Sequence, residues 1–133
     1  MNYEIIPFTK HHDPRGNLSV VEAFNPVPYE IRRVYWLYDV PAGSERGGHS
    51  HKQQKEVLVA MAGSFNVVLD DGEQQLTVTL NRPDRGLLIG EGMWRVLDNF
   101  SAGAVCLVLA SDVFDENDYI RDYDDFLASK GLK

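Results

Sequence analysis

Residues Gly43 to Gly63 read GSERGGHSHKQQKEVLVAMAG. His49 and His51 are one residue apart. On an extended strand alternate side chains share a face, so both imidazoles can point the same way. The spacing around them is tight. Five residues separate Gly43 from His49, four separate His51 from Glu56, and six separate Glu56 from Gly63. The plain alternative is two surface histidines at a strand edge. Burying two histidines unpaired beside Arg46 would be costly, which argues against a merely structural pair.

Outward from this stretch, strand signals recur. Met1 to Phe8 reads as a short strand, and Asp13-Pro14-Arg15-Gly16 as a turn, with His11 and His12 in the turn region. Leu18 to Glu22 starts another strand. Ile31 to Val40 is rich in β-branched and aromatic residues. One of its faces carries Arg33, Tyr35 and Leu37, the other Arg32, Val34, Trp36 and Tyr38, and hydrophobicity does not decide which looks inward. Val57–Met61 reads as buried. Asp70-Asp71-Gly72 marks a hairpin between Ser64–Leu69 and Gln75–Leu80. Gly86–Ile89, Trp94–Leu97 and Ala104–Ala110 complete the run. Strands separated by glycine and proline turns predict an all-β sandwich or barrel. The tail changes character: Asp115 to Asp118 offers helix caps, and Tyr119, Tyr123 and Phe126 fall on one face of a short helix.

The chain has 133 residues, with 20 acidic and 13 basic residues and a formal net charge of −7. One domain spanning residues 1–133 is expected. No block of Lys and Arg exists, which speaks against a nucleic-acid partner. A few pocket arginines would still suffice for a phosphorylated small molecule. The single cysteine, Cys106, reads as a small buried hydrophobe. No stretch is long enough to span a bilayer and the N-terminus has no apolar leader core, so a cytoplasmic protein is expected.

The string from Gly43 to Gly63 resembles the first motif of the cupins, small double-sheet β-barrels. That implies a double-stranded β-helix, or jelly roll, with the short C-terminal helix packed on it. Many cupins hold a transition metal with two histidines and a glutamate from this motif and a third histidine from a second motif. The matching second run is Gly90 to Asn99, and there Arg95 stands at the histidine position. Arginine stays protonated and does not ligate. His49, His51 and Glu56 remain as three possible ligands, but the chain reads as a barrel that has lost its metal, with no cofactor. A neutral imidazole with an ordinary pKa of about 6.5 can take and return a proton. Proton abstraction beside a carbonyl needs a base, an orienting group, a donor to the enolate oxygen and a dry pocket. His49, His51 and Tyr35 can fill those three roles.

RGNLSVVEA, IRRVYWLYDV, ERGGHSHK, GSFNVVLDDG, LNRP and DYIRDYDDFL together resemble the nucleotide-sugar 3,4-ketoisomerases. The resemblance runs over nearly the whole chain. It implies an isomerase that converts dTDP-4-oxo-6-deoxy-α-D-glucose to a dTDP-3-oxo-6-deoxyhexose for deoxysugar and surface-glycan synthesis. It implies no metal, and a homodimer whose N-terminal strands exchange between subunits. Under it, His49 matches the catalytic base, His51 its partner, and Tyr35 a tyrosine beside them. Arg15 and Arg46 match phosphate-binding arginines, and Arg95 and Trp94 are expected to meet substrate. Two other readings remain: a metal-dependent cupin enzyme, favoured by Glu56 and opposed by Arg95, and a non-catalytic dTDP-sugar-binding cupin.

Overall fold

The computed structural model describes all 133 residues. In chain order the strands are β1 (Tyr3–Pro7), β2 (Lys10–Asp13), β3 (Gly16–Ser19), β4 (Glu22–Ala23), β5 (Pro26–Val27), β6 (Arg33–Leu37), β7 (Arg46–His51), β8 (Glu56–Ala62), β9 (Phe65–Asp70), β10 (Gln75–Leu80), β11 (Arg85–Ile89), β12 (Trp94–Asp98), β13 (Val105–Ala110) and β14 (Tyr119–Ile120). One helix, α1, spans Tyr123–Ser129. The long strands form two five-stranded sheets, in the orders β1-β11-β8-β13-β6 and β10-β9-β12-β7-β14. Every pairing within them is antiparallel. This is the two-sheet jelly roll with one C-terminal helix that the sequence predicts.

The alternation of β12, β9 and β13 explains the core. Leu58 and Val108 come from one sheet, Leu69 and Leu97 from the other, and all four belong to one buried cluster between the sheets. Each such side chain stabilises the fold by roughly 1.5–3 kcal/mol relative to exposure. A second cluster lies on the outer face of the first sheet, where Val27 and Tyr29 cover Val57, Val59 and Leu109. Tyr29 donates its hydroxyl to the Leu109 carbonyl at 2.5 Å, so burial leaves no orphan there.

The structure resolves the ambiguous strand. Arg33, Tyr35 and Leu37 of β6 face inward and line a cavity. Val34, Trp36 and Tyr38 are exposed. Two expectations need correction. His11 and His12 lie within β2, paired with β3, rather than in a turn. The tail is not one helix reaching back to Tyr119. Asp115 caps only a 3-10 turn, Glu116–Asp118, and Asp122 caps α1. Between the two caps the backbone stays extended, and β14 pairs with β7, with Tyr119 opposite His51.

Candidate active site

The cavity is lined by strands of both sheets and has a volume of about 310 Å³. β7 brings His49 to it, with Arg95 of β12 directly across the ladder. The register shifts between Arg95 and Val96. Gly47 makes this close approach possible. Its φ is +93°, and a Cβ there would stand 3.2 Å from the Arg95 carbonyl oxygen. β8 places Glu56 at the cavity floor, and β6 places Tyr35 beside it.

Glu56 is 1% exposed and fully engaged. Arg95 Nη1 donates to its Oε1 at 2.5 Å. The Tyr35 hydroxyl donates to Oε2 at 2.6 Å, and Gln54 Nε2 to the same oxygen at 2.9 Å. Burial pushes the Glu56 carboxyl up, but Arg95, His51 and the Tyr35 hydroxyl outweigh it and hold the group below its usual value. Burial, with the Glu56 charge, raises the Tyr35 phenol far above the ordinary range.

The two histidines are oriented by their Nδ1 atoms. His49 Nδ1 lies 2.8 Å from the Gly47 carbonyl oxygen, which can only accept, so Nδ1 carries the proton and Nε2 is bare. His51 Nδ1 meets Asp118 Oδ2 at 3.0 Å, which selects the same tautomer. Neither Nε2 has a hydrogen-bond partner, and both are buried. Arg33 Nε is also buried without one. Two acceptors and one donor left unpaired at one place are what a polar ligand would satisfy. Burial, helped by the nearby Arg95 charge, pulls the His49 pKa down to about 4 and lowers that of His51. The expectation that His49 titrates near neutral pH is therefore corrected. It is a neutral acceptor well into the acid range.

The chain has known relatives. A family model described as "FdtA: WxcM-like, C-terminal" matches residues 1–131. A TDP-4-oxo-6-deoxy-alpha-D-glucose-3,4-oxoisomerase from Aneurinibacillus thermoaerophilus is 43% identical over 126 residues, covering 95% of this chain and 91% of the relative. The chain belongs to the sugar-nucleotide 3,4-ketoisomerase family. A 3,4-ketoisomerase from Helicobacter canadensis superposes with a TM-score of 0.96 at 47% identity, over 98% of each chain. A histidine-to-asparagine variant of the ketoisomerase QdtA from Thermoanaerobacterium thermosaccharolyticum, crystallised with TDP-4-keto-6-deoxyglucose, superposes with a TM-score of 0.95 at 38% identity, over 96% of this chain and 93% of that one.

Of the site residues read from the sequence, His49, Tyr35, Arg46 and Arg95 line the ketoisomerase cavity. His51 sits beside it, its ring centroid 4.8 Å from that of His49. Trp94 does not reach the cavity. Strand alternation turns it away from Arg95, and its ring packs on Tyr123 and Phe126 of the helix. Arg15 is not a lining residue of its own chain's cavity. It stands at the tip of the β2–β3 hairpin and pairs with Asp13 at 2.8 Å, its side chain 91% exposed. Four contributors escape the sequence reading: Arg33, Asp118, Tyr119 and Arg121. A signal for the last three exists in DENDYIRDYD, where Asp115 and Asp122 can each cap a turn and leave Tyr119 and Ile120 extended between them.

Proposed function

We propose that the protein, acting as one unit over residues 1–133, isomerises dTDP-4-oxo-6-deoxy-α-D-glucose to the 3-oxo sugar. The observation that carries this reading is the bare Nε2 of His49, held in a cavity whose only carboxylate is already neutralised by Arg95. His49 is the base that removes the C3 proton, and the C–H electron pair becomes the C3=C4 bond of an enediolate. Reprotonation at C4 gives the ketone at C3. His51, fixed by Asp118 and kept neutral by its burial, packs edge-on against His49. Tyr35 walls the cavity and anchors Glu56.

A metal does not fit this donor set. His49, His51 and Glu56 present ligand atoms within 4.8 Å of one another. Both Glu56 oxygens are occupied, however, and the Arg95 guanidinium stands where a cation would sit. The rim arginines Arg46 and Arg121 bind the pyrophosphate. Arg121 is fixed for this by two bonds to Glu116, at 2.7 and 2.9 Å.

The assembly is a homodimer that exchanges its N-terminal hairpin. Every residue of β3 is exposed, and a free two-stranded hairpin is marginal alone. Leu18, Val20, Trp36 and Met61 add exposed apolar area that a second copy would cover. Exchange would also carry Arg15 away from its own chain. The experiment is incubation of EDTA-dialysed protein with the 4-oxo sugar nucleotide, followed by NMR. Appearance of the 3-oxo product supports the reading. Binding without turnover would favour a sugar-nucleotide-binding module, and turnover only on adding a divalent metal would favour a metalloenzyme.

A further inference from the structure

The isomerisation moves one proton between carbons and one between oxygens. C3 and C4 exchange one, and O3 and O4 exchange the other. His49 accounts for the carbon side alone. Tyr35 is the expected oxygen-side donor, but its single proton is committed to Glu56. Burial and the Glu56 charge further oppose its ionisation.

We propose that Tyr119 is the catalytic residue that serves the sugar oxygens. This rests on the ketoisomerase reading above. Tyr119 lines the same cavity as His49, and its ring centroid lies 5.0 Å from that of His49 and 4.4 Å from that of His51. Its oxygen accepts from Arg33 Nη2 at 3.1 Å, and no protein group accepts its own proton. The hydroxyl is thus polarised by a cation and has a free donor. Its position is fixed from three sides. The backbone pairs with His51 in the β14–β7 ladder, the Arg121 guanidinium lies 4.2 Å from the ring centroid, and Phe114 packs at 5.7 Å.

The balanced reaction runs as a relay. His49 Nε2 takes the C3 proton, the C3–H pair forms C3=C4, and the C4=O π pair moves to O4. Tyr119 gives its proton to O4. The phenolate, held by Arg33, takes the O3 proton. The O3–H pair forms C3=O, the C3=C4 pair takes the proton back from His49 at C4, and both residues end as they began. No oxidant or co-reactant is needed.

Three variants test this: Tyr119→Phe, Arg33→Met and the pair, assayed at saturating substrate beside the wild type, with dTDP affinity measured by calorimetry. Tyr119→Phe keeps the ring and is expected to lose roughly 10²–10³-fold in kcat, with dTDP affinity within about twofold. Arg33→Met is expected to lose less, and to cost nothing further in kcat once Tyr119 is Phe, because the two act as a unit. A Tyr119→Phe kcat within about threefold of wild type overturns the inference. So do losses that simply multiply in the pair, or a loss confined to dTDP affinity. A wild type that does not isomerise the sugar overturns the ketoisomerase reading itself, and the inference with it. An active wild type separates the two.

Discussion

Arg95 and Glu56 form an ion pair across the barrel, Nη1 to Oε1 at 2.5 Å, with each side chain 2% exposed. The pair neutralises the one carboxylate that lines the cavity, beside two bare imidazole nitrogens. Removing one partner leaves the other charge buried alone. Arg95→Met is therefore expected to cost about 3–5 kcal/mol of stability, measured by urea unfolding. Adding Glu56→Gln should recover part of that loss. A single variant as stable as wild type would show that the pair is not what satisfies Glu56.

The depressed His49 pKa gives a pH signature. The folded value is about 4. An unfolded histidine titrates at about 6.5. Between the two, the unfolded chain binds more protons, so stability rises with pH. The contribution is complete above about 6.5 and is lost as pH falls toward 4. It amounts to at most about 3 kcal/mol, and Glu56 shifts in the same direction. The acid limb of kcat/KM, which reports the free enzyme, should likewise fall near 4. A limb at about 6.5 would mean that His49 is not desolvated, or is not the base.

The rim arginines should act on affinity. Arg46→Ala and Arg121→Ala are each expected to weaken dTDP binding by about 1.5–3 kcal/mol in calorimetry, with a weaker effect on turnover at saturation. Unchanged affinity in both would move the pyrophosphate elsewhere.

The β2–β3 hairpin predicts the assembly. Light scattering at micromolar protein is expected to give twice the chain mass, and Leu18→Asp with Val20→Asp should shift it to monomer. A wild type that is monomeric throughout would contradict the exchanged dimer.

The fold and half the site are legible in the sequence because they rest on local periodicity. His49 and His51 alternate on one strand, Glu56 follows at a fixed distance, and the spacing of the second motif puts Arg95 among them. What escapes the sequence depends on pairings between distant segments. Tyr119 matches a helical face with Tyr123 and Phe126, yet the ladder to His51 holds it extended. Trp94 and Arg95 are adjacent in the chain, but the pleat sends one to the helix and the other to the cavity. Arg33 is ambiguous until β13 fixes which face of β6 is inward. The committed proton of Tyr35 depends on Glu56, 21 residues away.

The central claim is that His49 Nε2 moves the proton between the two sugar carbons. Wild type and His49→Asn should be incubated with dTDP-4-oxo-6-deoxyglucose and the carbonyl position followed by ¹³C NMR. The account predicts that the wild type moves the carbonyl from C4 to C3, and that the variant does so about 10²–10⁴-fold more slowly while binding dTDP as before. A variant that isomerises at the wild-type rate would contradict it.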